Sequence, residues 1–403
     1  MKVLVANIGS TSFKFRLFDF ADGAERELAA GGVDRIGGAG GTLTCSVGDA
    51  GERLRAPCEC VDHGRAIAVC LDALVERGVL SGAGDLDAVA FKAVMARDID
   101  PVVRVDEKVL AAMEYFAPAA PAHNPAYVAA MRSFAGALPG TPLVAAFEPG
   151  FHRTIPERRW RYACPRRWTD EFGVRRYGYH GASHRYVAER TAELCGASRI
   201  ISCHLGGSSS VCAIRDGASV ATSLGFSPQS GLPQGSRVGE FDPFALALIA
   251  RETGLSLEQM LAELGSSGGL AAISGTSGDA RDIESAAAGG DEKAATALAS
   301  FATAVRDYVG AYVVELGGLD ALVFTGGIGE HSPVTRRAVC RGMDFLGIVL
   351  DEGKNAAAKG ECRIDADGSP TAIWAMPTNE ELIVARQARE FLAEPTQDSG
   401  RSG

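Results

Sequence analysis

Two stretches of the chain share one pattern of apolar and polar positions. Residues 3–20, VLVANIGSTSFKFRLFDF, are apolar up to Asn7, pass through glycine and hydroxyl residues, and then alternate apolar and polar side chains from Phe13 onward. Residues 200–217, IISCHLGGSSSVCAIRDG, show the same order of apolar run, glycine–serine turn and second segment. Because alternation with a period of two is typical of strands, each stretch predicts a β-hairpin.

The match between the two hairpins predicts an internal duplication. Residues 7–12 align with residues 204–209, so we expect two copies of one α/β fold, each opening with a hairpin and facing the other across a cleft. Glycine and serine at a hairpin tip let backbone N–H groups approach an anion, and Lys14 adds a positive charge beside the first tip. One such turn alone would more simply be a solvated loop, whereas the pair favours a shared polyphosphate site.

A third glycine cluster follows a predicted strand. Residues 319–332, LDALVFTGGIGEHS, read as a strand over 322–325, a glycine turn, and then a helix with Ser332 as its N-cap and Pro333 at its first position. A strand, a glycine turn and a helix N-terminus form a nucleotide-binding arrangement in several folds. The spacing matches neither the dinucleotide-binding glycine pattern nor the P-loop.

The middle of the chain places a histidine and an arginine among glycines. Residues 177–196, YGYHGASHRYVAERTAELCG, predict a turn at His180 followed by an amphipathic helix. His184 stands at metal-ligand spacing from His180, but no third ligand accompanies the pair, so a donor to a developing anion is the preferred role for His180. A histidine that only hydrogen-bonds within its loop is the alternative. Arg237 also lies between glycines, and its guanidinium suits phosphate or carboxylate.

Acidic side chains mark two further segments. Glu148 ends a predicted strand in AAFEPGFHRTIP and is a candidate metal-binding or catalytic group. Glu380 and Glu381 open a predicted helix, where acidic side chains are ordinarily stabilised by the helix dipole. One of the two could also reach Mg²⁺ through water. Residues 277–282, SGDARD, predict another loop at the cleft.

Composition narrows the class of protein. The chain has 403 residues, 46% hydrophobic and 22% charged, which is typical of a globular protein with two domains. Its net charge of −10 argues against a nucleic-acid or anionic-membrane partner. Neither a signal-peptide pattern nor an apolar run of about 18 residues is present. The ten scattered cysteines lack zinc-ligand spacing, so we expect reduced thiols in the cytoplasm.

The elements suggest a domain division. We expect a first domain over 1–150, which contains a proline-rich loop at 116–126, and a second domain over 151–379. A last helix at about 380–393 would return to the first domain. The composition of 394–403 predicts a flexible tail.

Eight segments carry a wider resemblance: NIGSTSFKF, AHNPA, YGYHGASH, HLGGSSSVCAIRDG, TSLGFSPQSGLPQGSRVGEFDP, ISGTSGDARD, FTGGIGEHS and PTNEELIVAR. In this order they resemble the acetate kinase family of acyl-phosphate-forming kinases, over nearly the whole chain. The resemblance implies two duplicated ribonuclease-H-like domains, as in sugar kinases, actin and the heat-shock 70 ATPases. It also implies a homodimer and a reversible, in-line phosphoryl transfer from ATP to a short-chain carboxylate.

The resemblance further implies a role for individual residues. Glu148, His180 and Arg237 would be catalytic, and Asn7 and Glu380 would lie near Mg²⁺, with Mn²⁺ as an alternative. The residues implied to hold ATP are Lys14, His204, Leu205, Gly206, Gly207, Ser208, Asp279, Ala280, Arg281, Gly326, Gly327, Ile328, Gly329 and Glu330. Those implied to bind the carboxylate are Lys92, Val94, Ala122, Tyr179 and Pro228.

Several positions depart from the family pattern, among them Phe91 and Met95, which replace two histidines that flank the family's arginine. Lys92 stands where the family has a carboxylate-binding arginine, and Glu148 stands where it has an aspartate. Lysine cannot form the bidentate fork of arginine, but the longer glutamate could compensate by reaching one methylene further. Ala122 replaces the usual leucine and would enlarge the pocket, and Tyr179 replaces phenylalanine and would add a polar tip.

These departures leave alternatives to acetate phosphorylation. The substrate could be another carboxylate such as propionate, and the phosphoryl donor could be pyrophosphate rather than ATP. A nucleotide-binding regulatory homologue with little turnover is a further alternative, and a sugar or other small-molecule kinase is a third that the motif order disfavours.

Overall fold

The structure is a computed structural model that describes residues 1–9, 11–21, 23–48, 53–121 and 123–394. Ala122 and most of the predicted tail therefore lie outside the described residues. Contacts between Cα atoms divide the chain into two compact units. Unit 1 comprises Met1–Gly150 and Asn379–Gly403, and unit 2 comprises Phe151–Thr378.

The described residues form strands and helices throughout both units. The strands are β1 (Lys2–Ile8), β2 (Ser12–Asp19), β3 (Arg26–Asp34), β4 (Thr42–Val47), β5 (Leu54–Pro57), β6 (Ala88–Ala93), β7 (Val102–Arg104), β8 (Leu143–Phe147), β9 (Arg199–His204), β10 (Ser210–Arg215), β11 (Ala218–Thr222), β12 (Ala321–Thr325), β13 (Cys362–Arg363) and β14 (Ala372–Ala375). The α-helices are α1 (His63–Glu76), α2 (Glu107–Tyr115), α3 (Asn124–Ala137), α4 (Glu157–Trp160), α5 (Arg166–Phe172), α6 (Gly181–Cys195), α7 (Ala245–Thr253), α8 (Leu257–Ser266), α9 (Gly269–Ser274), α10 (Ala280–Ala288), α11 (Glu292–Leu316), α12 (Gly326–His331), α13 (Pro333–Cys340), α14 (Glu352–Ala357) and α15 (Glu380–Ala393).

Each unit is built on one mixed sheet, and the two sheets share a strand order. The sheet of unit 1 runs β5-β4-β3-β2-β1-β6-β8-β7, and that of unit 2 runs β11-β10-β9-β12-β14-β13. An antiparallel meander, with five strands (β5 to β1) in unit 1 and three (β11 to β9) in unit 2, is followed in each sheet by two parallel strands and an antiparallel edge strand. The α/β class is thus confirmed, and six strands agree in order and direction, as duplication requires.

Both predicted hairpins are present. Strands β1 and β2 pair antiparallel with Ala6 opposite Phe15, and β9 and β10 pair with His204 opposite Ser210. In β2 the apolar positions are buried and Lys14 is exposed, as the alternation predicts. The ring of Phe13 packs against that of Phe134 on α3, 5.8 Å away, which holds the hairpin to the helical layer.

A second internal match lies at the start of the parallel strands. Residues 86–91, LDAVAF, correspond to residues 319–324, LDALVF. The carboxylate of Asp87 accepts a hydrogen bond from the backbone N–H of Lys2 at 2.6 Å, and that of Asp320 accepts one from Arg199 at 2.8 Å. Each aspartate therefore ties the start of one strand to the start of its parallel neighbour.

Helices cover the sheets with their apolar faces. In unit 1, α1 and α3 pack on the sheet, and α15 packs on β1, β6 and β8. In unit 2 the 25-residue helix α11 lies against β9 and β10, and α6 contacts β9. No helix within the described ranges is both long and apolar enough to cross a membrane.

Three local predictions are wrong in detail. The glycine segment after β12 is not a turn but the helix α12, because the backbone N–H groups of Ile328 and Gly329 donate to the carbonyl of Leu205 and hold the first turn. The expected loop at 277–282 contains a helix start, since the Asp279 side chain accepts from the N–H of Arg281 and caps α10. The proline-rich segment ends early, because α3 begins at Asn124.

Candidate active site

The predicted acidic and basic groups of unit 1 gather at one edge of its sheet. Strands β1, β6 and β8 are parallel neighbours, so their carboxyl ends meet at the same edge. Asn7 lies near the end of β1, Lys92 near the end of β6, and Glu148 directly after β8. Glu380 is the first residue of α15, which packs on these strands. We call Asn7, Lys92, Glu148 and Glu380 the charged edge.

Lys92 is bonded to Glu380 rather than to Glu148. Its ammonium donates a hydrogen bond to the Glu380 carboxylate, and the two side chains are only 22% and 12% exposed. Burial alone would lower the pKa of Lys92, but the charges of Glu380 and Glu148 outweigh it and raise that pKa above its ordinary value. Lys92 is therefore a cation at neutral pH. The sequence suggested a pair of Lys92 and Glu148, whereas the structure adds Glu380 as a third charged group beside Lys92.

Tyr127 contacts the charged edge through Asn7, although no sequence motif indicated it. Its hydroxyl donates to the side-chain oxygen of Asn7 at 3.4 Å and accepts from the backbone N–H of Ile8 at 3.4 Å. Burial raises the pKa of Tyr127, with the charge of Lys92 acting against it. A neutral phenol on α3 thus orients the Asn7 amide. The apolar spacing of that helix gave no sign of this role.

The donors of the charged edge fit a hard divalent cation. Glu148 and Glu380 supply carboxylate oxygens and Asn7 supplies an amide oxygen, which are ligand types that Mg²⁺ prefers. The charged edge has only two acidic side chains, and nowhere in the described residues do three or more histidine, cysteine or acidic side chains lie together as metal ligands would. Mg²⁺ ordinarily takes one or two carboxylates and completes its shell with water and phosphate, so this sparse set suffices.

The other predicted residues of unit 1 lie close to this edge. Val94 follows β6 and is buried. Lys14 is opposite Asn7 in the β1–β2 hairpin and is exposed. Lys14 and Asn7 line a cavity of about 320 Å³, together with Arg16, Arg53 and Glu381.

Three separate glycine segments of unit 2 line one cavity of about 500 Å³. Its walls are Gly206, Gly207, Gly278, Asp279, Ala280, Arg281, Glu284, Gly327, Ile328, His331 and Ser332. We call this the glycine cavity. Seven of the residues implied to hold ATP lie in it, and the structure brings them together from three distant parts of the sequence. Its volume lies within the range of about 300–1,000 Å³ that is typical of small-molecule and cofactor sites.

The glycines permit close approach of backbone segments around the cavity. A Cβ on Gly278 would lie 2.6 Å from the carbonyl oxygen of Gly235. Gly326 has φ of +76°, and a Cβ there would lie 2.7 Å from the oxygen of Leu205. Any larger residue would separate the hairpin turn from α12. Leu205, implied to hold ATP, is fully buried and serves as the acceptor that joins these segments.

Arg336 binds backbone carbonyls of α12, and no sequence pattern indicated this role. Its buried guanidinium donates to the carbonyls of Gly329 at 2.8 Å and Glu330 at 2.7 Å, and to the side chain of Asn355 at 2.7 Å. Burial lowers the pKa of Arg336 and raises that of the Glu330 carboxyl. Nothing in the sequence distinguishes Arg336 from the exposed Arg337 beside it.

Asp279 and Arg281 form an exposed pair at the start of α10. The carboxylate accepts from the backbone N–H of Arg281 at 2.9 Å and from its guanidinium at 3.0 Å. The side-chain hydrogen bond from Arg281 is the main reason that the pKa of Asp279 falls to about 2. Both groups are therefore charged at neutral pH.

Arg237 connects two of the predicted segments. One guanidinium nitrogen donates to the hydroxyl of Ser208 at 3.2 Å and to the carbonyl of Pro228 at 3.4 Å. Burial lowers the pKa of Arg237, although arginine keeps its charge in proteins. A desolvated guanidinium beside a glycine–serine turn is suited to a phosphoryl oxygen.

Tyr179 and His180 lie at the start of α6. Tyr179 is buried and its hydroxyl donates to the carbonyl of Phe226 at 2.6 Å, so the expected polar tip is engaged by the protein backbone. His180 adopts left-handed backbone angles, with φ of +56°, an uncommon strain that accumulates at functional sites. Its ring stacks on that of His204 with centroids 4.1 Å apart.

His184 and Ser210 surround His180 and were not predicted as site residues. The hydroxyl of Ser210 lies 2.9 Å from Nδ1 of His180 and 2.8 Å from Nε2 of His184. The four-residue spacing of the two histidines was visible in the sequence. It places both rings on one face of α6, where they share a serine rather than a metal.

Comparison with known proteins decides the family. The model of the acetokinase family matches residues 2–386. The chain belongs to the acetokinase family. Its members are phosphotransferases that use ATP and have a carboxylate as acceptor, so the reaction class predicted from the sequence is confirmed. The same finding confirms the resemblance noted in the eight sequence segments.

Individual members of the acetokinase family are similar over almost the whole chain. A propionate kinase of Citrobacter rodentium is 40% identical over 399 residues, covering 98% of each chain, and an acetate kinase of Geobacillus kaustophilus is 39% identical, covering 96% of this chain and 98% of its own. Among solved structures, Porphyromonas gingivalis acetate kinase has a TM-score of 0.86 at 36% identity, over 97% of this chain and 99% of its own. A Francisella tularensis propionate kinase has a TM-score of 0.87 at 31% identity, over 96% and 98%.

Proposed function

We propose that this acetokinase-family protein transfers the γ-phosphoryl group of ATP to a short-chain carboxylate, giving ADP and an acyl phosphate, reversibly. The observation that carries the proposal is the glycine cavity, where three glycine segments converge on a volume of about 500 Å³. Glycine segments with exposed backbone N–H groups are suited to polyphosphates. Gly206, Gly207, Asp279, Arg281 and Gly327 would hold the nucleotide there.

In the proposed reaction, a carboxylate oxygen attacks the γ-phosphorus of ATP. The bond between that phosphorus and the oxygen bridging to the β-phosphorus breaks, and ADP leaves with the electron pair. The acceptor is already ionised at neutral pH, so the protein needs no strong base and contributes position and positive charge. Arg237 and His180 would donate hydrogen bonds to the phosphoryl oxygens, whose charge distribution changes in the transition state.

The charged edge would serve the cation and the acceptor. Asn7, Glu148 and Glu380 would hold Mg²⁺ or Mn²⁺, which would neutralise phosphate charge when bound. Lys92 would attract the carboxylate substrate as a point charge, in place of an arginine fork. Lys92, which would bind the carboxylate, forms an ion pair with Glu380, which would bind the cation, so the two binding sites would be electrostatically linked.

We propose propionate, or a similar short acid, as a substrate at least as good as acetate. The lysine at position 92 relaxes the bidentate geometry of the acceptor site, and the Citrobacter rodentium relative is named a propionate kinase. Adding hydroxylamine to reactions of ATP, Mg²⁺ and acetate, propionate or butyrate traps the acyl phosphate as a hydroxamate. We expect kcat/KM for propionate to equal or exceed that for acetate. Hydroxamate from none of the acids would instead support a regulatory homologue.

We also propose a homodimer that works in the cytoplasm. An apolar face on α7, α8 and the residues before them supports self-association: Phe241, Phe244, Leu248, Ile249, Leu257 and Leu261 are each at least 38% exposed. The ten cysteines are all free thiols, as in a reducing compartment. Light scattering should give twice the chain mass for the wild type and one chain mass for Phe244→Asp. The matched control Phe345→Asp, at an equally exposed phenylalanine elsewhere in unit 2, should remain a dimer.

A further inference from the structure

Four side chains of unit 2 form a continuous hydrogen-bonded series that ends on His180. The hydroxyl of Ser202 lies 2.9 Å from Nδ1 of His184, and Nε2 of His184 lies 2.8 Å from the hydroxyl of Ser210. That hydroxyl in turn lies 2.9 Å from Nδ1 of His180. We call Ser202, His184, Ser210 and His180 the serine–histidine relay.

Rigid elements hold the first three members of the relay, Ser202, His184 and Ser210, away from water. Ser202 lies on β9, Ser210 on the paired strand β10, and His184 on α6, and all three are fully buried. Burial lowers the pKa of His184 well below its ordinary value, with His152 and His204 acting in the same direction. His184 therefore carries a single N–H, which can lie on either ring nitrogen.

The number of available donors and acceptors decides in which direction the hydrogen bonds of the relay run. If His184 carried its proton on Nδ1, it would donate to Ser202, and the Ser202 hydroxyl would need an acceptor of its own. Among the described residues, His184 is the one hydrogen-bond partner of that hydroxyl, so a fully buried donor would be left unsatisfied. An unsatisfied buried donor costs about 1–3 kcal/mol.

The opposite direction satisfies every donor in the series. Ser202 donates to Nδ1 of His184, and Nε2–H of His184 donates to the Ser210 oxygen. The Ser210 hydroxyl then donates a hydrogen bond to Nδ1 of His180. Since Nδ1 of His180 acts as an acceptor, the proton of the neutral ring lies on Nε2.

We propose that the serine–histidine relay holds His180 in its Nε2–H tautomer, with Ser210 and His184 as positioning residues. The proposal deepens the function proposed above and rests on it for the catalytic value of His180. A neutral imidazole fixed in this tautomer presents a donor from Nε2 in every molecule, rather than in a fraction of them. Without the relay, the proton would exchange between the two nitrogens and the donor would be lost in part of the population.

Nitrogen-15 NMR of histidine-labelled protein, recorded without substrates, tests the tautomer directly. We expect the Nε2–H signature for His180 in the wild type and a mixture of tautomers in Ser210→Ala. The matched control is Ser219→Ala, which removes an equally buried serine from Nδ1 of another buried histidine, His152, at 2.9 Å. It should leave the His180 signature unchanged. A Nδ1–H signature in the wild type, or equal changes in both variants, would overturn the proposal.

Kinetics on the same variants separate the relay from the proposed function. We expect Ser210→Ala to lower kcat roughly 2- to 5-fold with KM for ATP within about twofold, because kcat falls in proportion to the fraction of molecules that keep the Nε2–H donor. Ser202→Ala, at the far end, should have a smaller effect of the same kind and serves if Ser210→Ala does not fold. If the tautomer of His180 shifts but kcat is unchanged, the proposed catalytic role of His180 is wrong. The same result would still support the proposal that the relay determines the tautomer.

Discussion

The two sheets are alike at one end of their parallel strands and different at the other. At the start of β6 and of β12, Asp87 and Asp320 make the same contact to the neighbouring strand. At the opposite end, β6 places Lys92 among carboxylates, whereas β12 leads into the glycine helix α12. One framework therefore supports two different kinds of site. The shared end determines the strand pairing, and the other end determines the chemistry.

The two kinds of site use different physical means. The charged edge of unit 1 concentrates one cation and two carboxylates in a largely buried setting, where both carboxylates stabilise the charge of the Lys92 ammonium. Unit 2 relies on backbone N–H groups, serine hydroxyls and neutral histidines, with Arg237 as a desolvated cation. The first arrangement suits a metal ion and a carboxylate, and the second suits polyphosphate. The following changes test this division, from the largest expected effect to the smallest.

Replacing Arg237 should cause the largest loss. Arg237→Ala should lower kcat by about 100-fold or more while the Kd for ADP changes little, because its charge is needed most in the transition state. Steady-state kinetics and calorimetry measure the two quantities. Arg337→Ala removes an exposed arginine of the same unit and is the control. A variant at position 237 with wild-type kcat would remove Arg237 from the mechanism.

Glu380 should matter far more than its neighbour. Glu380→Gln removes the partner of Lys92 and a proposed cation ligand, so we expect kcat/KM to fall about 10- to 100-fold and the Mg²⁺ concentration for half activity to rise. Glu381→Gln is a matched control on the same helical turn, and its carboxylate is 3.8 Å from Arg16 instead. Equal losses in the two variants would contradict the assignment of Glu380 to the charged edge.

Lys92 and Glu148 should be energetically coupled. Lys92→Arg and Glu148→Asp should each lower kcat/KM, and the double variant should recover part of the loss. Both carboxylates act on the same ammonium, and groups in such contact typically show interaction energies of about 0.5–3 kcal/mol. The double-mutant cycle on kcat/KM provides the measurement. Additive effects, or gains from both single changes, would indicate independent or decayed positions.

The smallest predicted effect concerns the shared strand starts. The hydrogen bond from Arg199 is the main reason that the pKa of Asp320 falls from its ordinary value of 3.8 to about 2. A lowered pKa stabilises the fold above pH 4, and this contribution is lost between about pH 4 and pH 2. Allowing for partial exposure, Asp320→Asn should cost about 1–2 kcal/mol at pH 7.

Asp87→Asn is the matched control for this effect, because Asp87 has the same backbone contact while the Lys2 ammonium pairs with Asp85. It should cost less than Asp320→Asn at pH 7. Urea titrations of both variants at pH 7 and pH 3 give the comparison. A difference between Asp320→Asn and the wild type that persists unchanged at pH 3 would exclude the ionic origin.

Local patterns explain why part of this fold was predictable. The hairpins follow from alternation within about 18 residues, and the N-cap of α13 follows from Ser332 and Pro333, which act on adjacent backbone. The bond between Lys92 and Glu380 joins residues 288 positions apart, and no local pattern indicates such a pair. The sequence suggested Glu148 as the partner because both positions depart from the family pattern.

Side-chain roles in unit 2 were less predictable than the glycine segments. Glycine marks close backbone approach by its identity alone, so the sequence by itself indicates the glycine segments. Ser210 and Arg336 are common residue types whose roles depend on what surrounds them after folding. Their positions in the sequence match an ordinary strand and an ordinary helix.

The division of labour between the units is tested most directly by Lys92→Met. The variant removes the cation of the charged edge and keeps a side chain of similar length. We expect KM for the carboxylate to rise about 10-fold or more, while the Kd for ADP, measured by calorimetry on the same preparation, stays within about twofold. A Kd for ADP that weakens as much as the carboxylate KM would contradict the assignment of acceptor binding to unit 1 and nucleotide binding to unit 2.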